Sequence, residues 1–124
     1  MVREVSVFQP DWVQSPSQLR PPLNDERLSP EETERIGAYL ESGAVVMHTT
    51  ARGIDVLADD APVVPLTIRT DGEFVWTGPV TYYVQNYGVA PDADFLAHVR
   101  ERDYVPRVPT DDEIDAATAL FADD

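Results

Sequence analysis

The sequence predicts a single α+β domain in which a small antiparallel sheet of three or four strands lies between helices. Short β-branched runs at 44–50, 63–69 and 73–76 are typical of strands. Apolar residues recur at helical spacing on both sides of these runs, and the length of 124 residues suits one domain. We therefore expect one helix before the sheet and two or three helices after it.

The N-terminal part is predicted to be a short strand followed by an extended arm. Residues 2–8 place Val5 and Val7 at strand spacing. The prolines that follow prevent a long helix. Residues 1–28 are therefore interpreted as a strand and a Pro-rich arm packed on a domain that spans 29–124. The predicted anchors of the arm are apolar: Trp12, Val13, Leu19 and Leu23.

The helix before the sheet begins with three signals that agree. Ser29 can cap free backbone N–H groups, and Pro30 suits the first helical turn. Acidic residues at 31–32 meet the positive end of the helix dipole. Gly43 is placed to end the helix. The buried stripe is predicted to consist of Ile36, Tyr39 and Leu40.

A Thr-Asp-Gly hairpin is predicted where Asp71 and Gly72 separate two strand runs. A two-residue turn on these residues would pair Arg69 with Phe74, whereas a three-residue loop that begins one residue earlier pairs Arg69 with Glu73. The longer loop places the large apolar groups on one face and opposite charges across from each other. We therefore predict three pairs: Arg69 with Glu73, Ile68 with Phe74, and Leu66 with Trp76.

Up to three helices are predicted after the hairpin. The first ends at Gly88 and buries Val80, Tyr83, Val84 and Tyr87. The second begins at Asp92 or Asp94 and buries Phe95, Leu96 and Val99. The third begins with a capping box of Thr110 and Glu113 and buries Ile114, Ala117, Leu120 and Phe121.

The composition excludes several classes of function. The formal net charge is −14, from nine arginines against 23 acidic residues, and the chain contains no lysine and no cysteine. A P-loop lysine, a Schiff-base lysine, a thiol nucleophile and a cysteine-based zinc site are therefore excluded. The negative charge disfavours nucleic acid and anionic membranes as ligands. Without a signal-peptide pattern or a long apolar run, a cytoplasmic protein without a cofactor is predicted.

The acidic excess has two explanations that stay open: solubility that follows from genome composition or salt adaptation, or an acidic surface that binds a basic protein partner. Residues 51–62 are predicted to form a loop that carries Asp55, Asp59 and Asp60. Tyr82 lies off the apolar stripe of its helix, and exposed tyrosines are common contact residues at protein interfaces; the alternative is an ordinary half-buried tyrosine. The predicted partner-binding residues are therefore Asp55, Asp59, Asp60 and Tyr82.

Two other classes of function stay open, namely a small enzyme and a structural scaffold. Asp94 and His98 lie four residues apart on a helix, so both side chains could face one metal ion in a small metal-dependent enzyme. The ordinary interpretation is a surface histidine paired with an acid. A carboxylate-based enzyme would use two of the many acidic residues. The second of these classes is a structural scaffold, for which a homodimer is one form.

Four segments together carry a resemblance to a known group of proteins: YLESG at 39–43, RTDGEFVW at 69–76, YYV at 82–84 and FLAHVR at 95–100. The pattern resembles small acidic, mostly uncharacterised proteins of actinomycetes. In these, a helix ending in Leu-x-x-Gly precedes a Thr-Asp-Gly-x-Trp-x-Trp hairpin and a Tyr-Tyr helix. Phe74 stands where that pattern usually has Trp. Some of these proteins look like immunity proteins of polymorphic toxin systems. The resemblance implies a non-catalytic cytoplasmic protein that neutralises a partner such as a basic toxin domain.

Overall fold

The structure, a computed structural model, describes residues 2–9 and 22–121. Within these ranges the chain forms six strands and four helices, which confirms the α+β class. The strands are β1 (Arg3–Glu4), β2 (Ala44–Met47), β3 (Arg52–Asp55), β4 (Ala61–Pro65), β5 (Ile68–Thr70) and β6 (Phe74–Trp76). The helices are α1 (Pro30–Ser42), α2 (Gly78–Tyr87), α3 (Ala93–Glu101) and α4 (Asp111–Leu120).

The main sheet has four strands in the order β1-β6-β5-β2. The pairs β2–β5 and β5–β6 are antiparallel, but β1 runs parallel to β6, so the expectation of a purely antiparallel sheet is wrong at this edge. The N–H of Arg3 donates to the carbonyl of Glu73 (3.0 Å), and that of Val5 to Val75 (2.9 Å). Because no tight turn links β1 to its neighbour, the chain direction at this edge is not restricted to antiparallel.

Successive side chains of β6 enter different apolar clusters. Trp76 is fully buried among residues of α1, α2 and α3, and its indole N–H donates to the carbonyl of Leu40 (3.1 Å). Val75 packs instead with Ile68 and with Ala117 of α4. The sheet therefore separates a large core from a smaller one, as strand alternation requires.

The register of the β5–β6 hairpin differs from both predicted alternatives. Arg69 pairs with Trp76, so the two central turn residues are Gly72 and Glu73. Gly72 has a φ of +98°, which suits the first central position of a tight hairpin turn. Asp71 Oδ1 accepts the N–H groups of Glu73 (2.9 Å) and of the next residue (2.8 Å). These two bonds move the turn along the chain and override cross-strand charge pairing.

The segment 51–62, predicted to be a loop, contributes β3 and the start of β4 to a separate two-stranded sheet. The strand predicted over 63–69 is split between the two sheets. Its first part pairs with β3, with Arg52 opposite Pro65. Proline lacks the N–H that a central strand needs, which favours the end of β4 at this position.

The helix boundaries agree with the local capping signals. Ser29 Oγ accepts the N–H of Glu32 (3.1 Å) at the start of α1, and the capping box of Thr110 and Glu113 is present at the start of α4. Gly88, at a left-handed φ of +66°, ends α2. Within the described ranges, no helix has the length and apolar character needed to cross a membrane.

Two residues predicted to be buried are substantially exposed. The exposed fraction is 36% for Tyr87 and 51% for Leu120, so these two core assignments are wrong. Helical spacing placed Tyr87 on the apolar stripe, but its hydroxyl donates to Asp55 at the end of β3 (2.7 Å). In α4 only Ala117 is fully buried, because the helix covers a small cluster rather than the main core.

The described ends of the predicted arm contact the domain. The N–H of Gln9 donates to the carbonyl of Pro22 (2.9 Å) within the arm, and the side-chain amide of Asn24 donates to the carbonyl of Ala90 (2.8 Å) in the domain. Leu23 packs against the main core. The other predicted anchors lie outside the described residues: Trp12, Val13 and Leu19.

We predict a large difference between two Gly→Ala substitutions. A Cβ added at Gly78 would lie 1.8 Å from the backbone oxygen of Pro65, so Gly78→Ala must displace the backbone. The expected loss in unfolding free energy is about 3 kcal/mol by chemical denaturation. At Gly37, in α1, an added Cβ meets only the flexible side chain of Gln85, and alanine favours the helix. Equal losses in the two variants would contradict this prediction.

Candidate functional site

The four predicted partner-binding residues lie on or beside the β3–β4 hairpin. Asp55 ends β3, and Asp59 and Asp60 lie in the turn that follows. Tyr82 lies on α2, and its hydroxyl donates to Asp55 Oδ2 (2.7 Å). The structure therefore brings Asp55 and Tyr82 together and leaves the two turn aspartates at the surface.

Asp55 is fully buried, so the expectation that it lies exposed to a partner is wrong. Its Oδ2 accepts the hydroxyls of Tyr82 and Tyr87, each at 2.7 Å, and its Oδ1 accepts the N–H of Leu57 (2.8 Å). Burial alone raises the pKa of Asp55, but the tyrosine hydrogen bonds lower it overall. The carboxylate is therefore ionised at neutral pH and joins the hairpin to α2.

Tyr82, the fourth predicted partner-binding residue, also positions the hairpin. It is partly buried, and its hydrogen bond to Asp55 raises the pKa of the phenol to about 12. Tyr83 adds a second connection, since its hydroxyl accepts the N–H of Val56 (2.9 Å) and donates to the carbonyl of Ile54 (3.2 Å). The hairpin is thus held by three tyrosines from one helix.

The outer face of the hairpin carries exposed apolar side chains, with Arg52 also exposed at the start of β3. Val64 is buried against the domain, whereas the neighbouring Val63 is 49% exposed. On the paired strand Ile54 is 45% exposed, and Leu57 in the turn is 49% exposed. Exposed apolar side chains grouped on one small sheet are typical of interaction surfaces.

The turn of the hairpin has a defined backbone. Asp59 and Asp60 adopt left-handed φ values of 53° and 58°, which aspartate tolerates better than most residues. The N–H groups of Ala58 and Asp60 both donate to the carbonyl of Asp55, at 3.1 and 3.0 Å. The two acidic residues are therefore carried on an ordered turn next to the apolar face.

A second polar cluster surrounds Asp71. Its Oδ2 accepts the hydroxyl of Tyr39 and lies 2.8 Å from Nε2 of His98. Asp71 is 2% exposed. Burial raises its pKa, but the bonds from Tyr39, the turn N–H groups and His98 outweigh burial and lower it. Nδ1 of His98 lies 3.5 Å from Glu73, beside a surface cleft of about 410 Å³. The cluster fixes the hairpin turn against α1 and α3.

The structure separates the two residues that were considered for a metal ion. Asp94 pairs with Arg3 (2.7 Å), while His98 turns toward Asp71. The helical spacing placed both on one helix, but each has a different partner from elsewhere in the chain. Among residues 2–9 and 22–121, no group of three or more histidines and acids is arranged to hold a metal ion.

Sequence reasoning missed Tyr87 and Asp71 as organising residues. Tyr87 was assigned to the core because it lies on the helical repeat of the apolar stripe, four residues after Tyr83, so its spacing gave no signal for a polar role. Asp71 was interpreted only as a turn former. The tendency of aspartate side chains to accept backbone N–H groups two residues along was the available signal for it.

No protein-family model matches this chain, and no curated protein or solved structure is significantly similar to it. The resemblance to immunity proteins of polymorphic toxin systems therefore stays a prediction from the residue pattern.

Proposed function

We propose that this protein is a non-catalytic binding protein for a basic protein partner, and specifically an immunity protein that neutralises a basic toxin domain in the cytoplasm. One observation carries the proposal: the β3–β4 hairpin presents exposed apolar side chains beside Asp59 and Asp60, on a chain with a net charge of −14. We call this surface, formed by Ile54, Leu57, Asp59, Asp60 and Val63, the hairpin surface.

The charge balance supports a basic partner. Several of the nine arginines are already used within the fold: Arg100 binds Glu32 (2.7 Å), Arg107 binds Glu113 (2.7 Å), and Arg3 binds Asp94. The remaining surplus of acidic side chains gives the protein a negative field that attracts a positive surface. Such a field chiefly increases the association rate and selects against acidic partners.

The exposed apolar side chains of the hairpin surface supply the binding affinity that charge does not. Binding affinity is concentrated in a few well-packed side chains that lose water at the centre of an interface. Ile54 and Val63 are in the position to do this, with Asp59 at the rim. Because the Asp55 bonds hold the hairpin before any partner arrives, less conformational entropy is lost on binding.

The proposal is tested by capturing binding proteins from extracts of the native host on the immobilised chain. We expect a basic protein to be retained at low ionic strength and released by added salt. The double variant Asp59→Asn and Asp60→Asn removes two charges from the hairpin and keeps residues that tolerate a left-handed backbone. It is expected to slow association with the captured protein by about fivefold or more.

The matched control is Glu34→Gln with Glu41→Gln, which removes two charges from exposed positions on α1. Equal slowing by both double variants would show that overall charge, rather than the hairpin surface, governs binding. If no basic protein is retained, the proposed function is overturned.

A third variant, Ile54→Thr with Val63→Thr, is expected to speed dissociation rather than slow association.

A further inference from the structure

The segment between α3 and α4 carries the two most exposed large apolar side chains in the described part of the chain. Val105 is 64% exposed and Val108 is 86% exposed. Each of them directly precedes a proline, in the sequence Val-Pro-Arg-Val-Pro at 105–109. The same segment has neither helix nor strand structure.

The sequence of this segment disfavours a helical backbone and favours an extended one. Proline fixes φ near −65°, and a residue that precedes proline is disfavoured from helical conformations. Four of the five residues are restricted in one of these two ways. The polyproline II helix repeats every three residues, so Val105 and Val108 would share one edge, roughly 9 Å apart. Pro106 and Pro109 are half-buried.

The N-terminal end of the segment is fixed by an unusual backbone. Asp103 and Tyr104 both have left-handed φ values, 54° and 61°, and a bulky residue rarely adopts this conformation. The hydroxyl of Tyr104 donates to Glu32 (2.9 Å), and the guanidinium of Arg35 lies 5.2 Å from its ring centre. Such a conformation persists where the surroundings hold it, and it is often found at functional sites.

The middle of the segment is fixed by an ion pair to the helix that follows it. Arg107 makes two hydrogen bonds of 2.7 Å to the carboxylate of Glu113. The same carboxylate accepts the N–H of Thr110 (2.9 Å) at the start of α4. Arg107 therefore ties the middle of the segment to the helix, while the two valines remain outside.

We propose that residues 105–109 are a preformed polyproline II ligand that docks into an aromatic-lined groove on a partner protein. Such grooves accept successive apolar-Pro pairs, and the unit repeats twice here, as Val105-Pro106 and Val108-Pro109. The contacts that fix the segment reduce the entropy lost on docking. Asp103 flanks the segment on one side and 111–112 are acidic on the other, so the rim of the groove is basic. This surface is distinct from the hairpin surface.

The test places a photo-cross-linking residue in the full chain, expressed in its native host. Val108→p-benzoylphenylalanine is expected to give an adduct with another protein, and the linked peptide of that protein contains Trp, Tyr or Phe. Leu120→p-benzoylphenylalanine is the control, since Leu120 is 51% exposed on α4. With the linked protein purified, Val105→Thr and Val108→Thr together are expected to weaken binding about tenfold, because they remove apolar contact but not shape.

Any of three cross-linking results would overturn the inference: no adduct at position 108, the same adduct at position 120, or an adduct only with a second copy of this chain. Unchanged affinity of the Thr double variant would also overturn it. Circular dichroism and thermal unfolding of that variant are expected to match the wild type, since both positions face solvent. The test does not depend on the hairpin surface, so Asp59→Asn with Asp60→Asn serves as a second control.

Discussion

Asp71→Ala is expected to lower the free energy of unfolding by about 3–5 kcal/mol at neutral pH. The substitution removes the buried carboxylate that the hydroxyl of Tyr39 and the ring of His98 share as a hydrogen-bond partner. It also removes the acceptor of two turn N–H groups, which sets the register of the β5–β6 hairpin. The loss is measured by chemical denaturation.

The pH dependence of the unfolding free energy gives a second test of the role of Asp71. Because the folded-state pKa of Asp71 is lowered, its contribution is fully present above the unfolded-state pKa of about 3.9 and is lost as the pH falls through the folded-state value. The stability difference between the wild type and Asp71→Ala should therefore shrink below about pH 4. A difference that stays constant into acid would contradict this assignment.

The matched control for Asp71 is Asp94→Ala. Asp94 pairs with Arg3 at the surface, with side chains 71% and 58% exposed, and such pairs contribute less than about 1 kcal/mol. Losses of similar size in the two variants would contradict a special role for the buried carboxylate.

Local signals in the sequence predicted the helices well. Ser29 and the Thr110–Glu113 capping box act within three or four residues of the chain, so their effect depends little on the rest of the fold. Gly88 likewise needs only its own backbone freedom to end α2. The α+β class followed from such local periodicities.

The parts that sequence could not predict depend on contacts between distant residues. Asp55 binds Tyr82, 27 residues along the chain, and this contact turns an apparent acidic loop into an anchored hairpin. Asp71 and His98 are also 27 residues apart. In both cases an aspartate that looked like a surface residue is buried, because partners from other elements satisfy its oxygens. Composition and spacing carry no information about such partners.

Contacts between distant residues also decide how much of the interaction surface could be predicted. Asp59 was expected at the surface and is found there, on the hairpin turn. The apolar half of the hairpin surface was missed, because Ile54 lay in a predicted loop and Val63 in a strand assigned to the main sheet. Only the pairing of β3 with β4 places them on one small sheet.

Asp55→Ala is expected to release the β3–β4 hairpin from α2 while the main core stays folded. The carboxylate is the common acceptor of Tyr82, Tyr87 and the N–H of Leu57, so its removal breaks these three contacts together, and the Tyr83 hydroxyl is then left to join the end of β3 to α2 by hydrogen bonds. Hydrogen exchange of the amides at 57–60 should become at least about tenfold faster, because local opening then requires fewer bonds to break. Amides of α1 should keep their protection.

Tyr82→Phe with Tyr87→Phe tests whether the effect of Asp55→Ala arises from these bonds or from the loss of the turn acceptor. This double variant keeps both rings and the bond to Leu57, and removes only the two hydroxyl donors. We expect the same direction of change in hydrogen exchange and a weaker complex with the partner captured on the hairpin surface.

Because the pKa of Asp55 is lowered, the carboxylate binds the hydroxyls as an ion, and protection of the hairpin should fall when the pH drops through that pKa. If the amides of α1 lose protection equally, the hairpin and the core unfold as one unit. If the hairpin amides are unaffected, Asp55 does not hold the hairpin on α2.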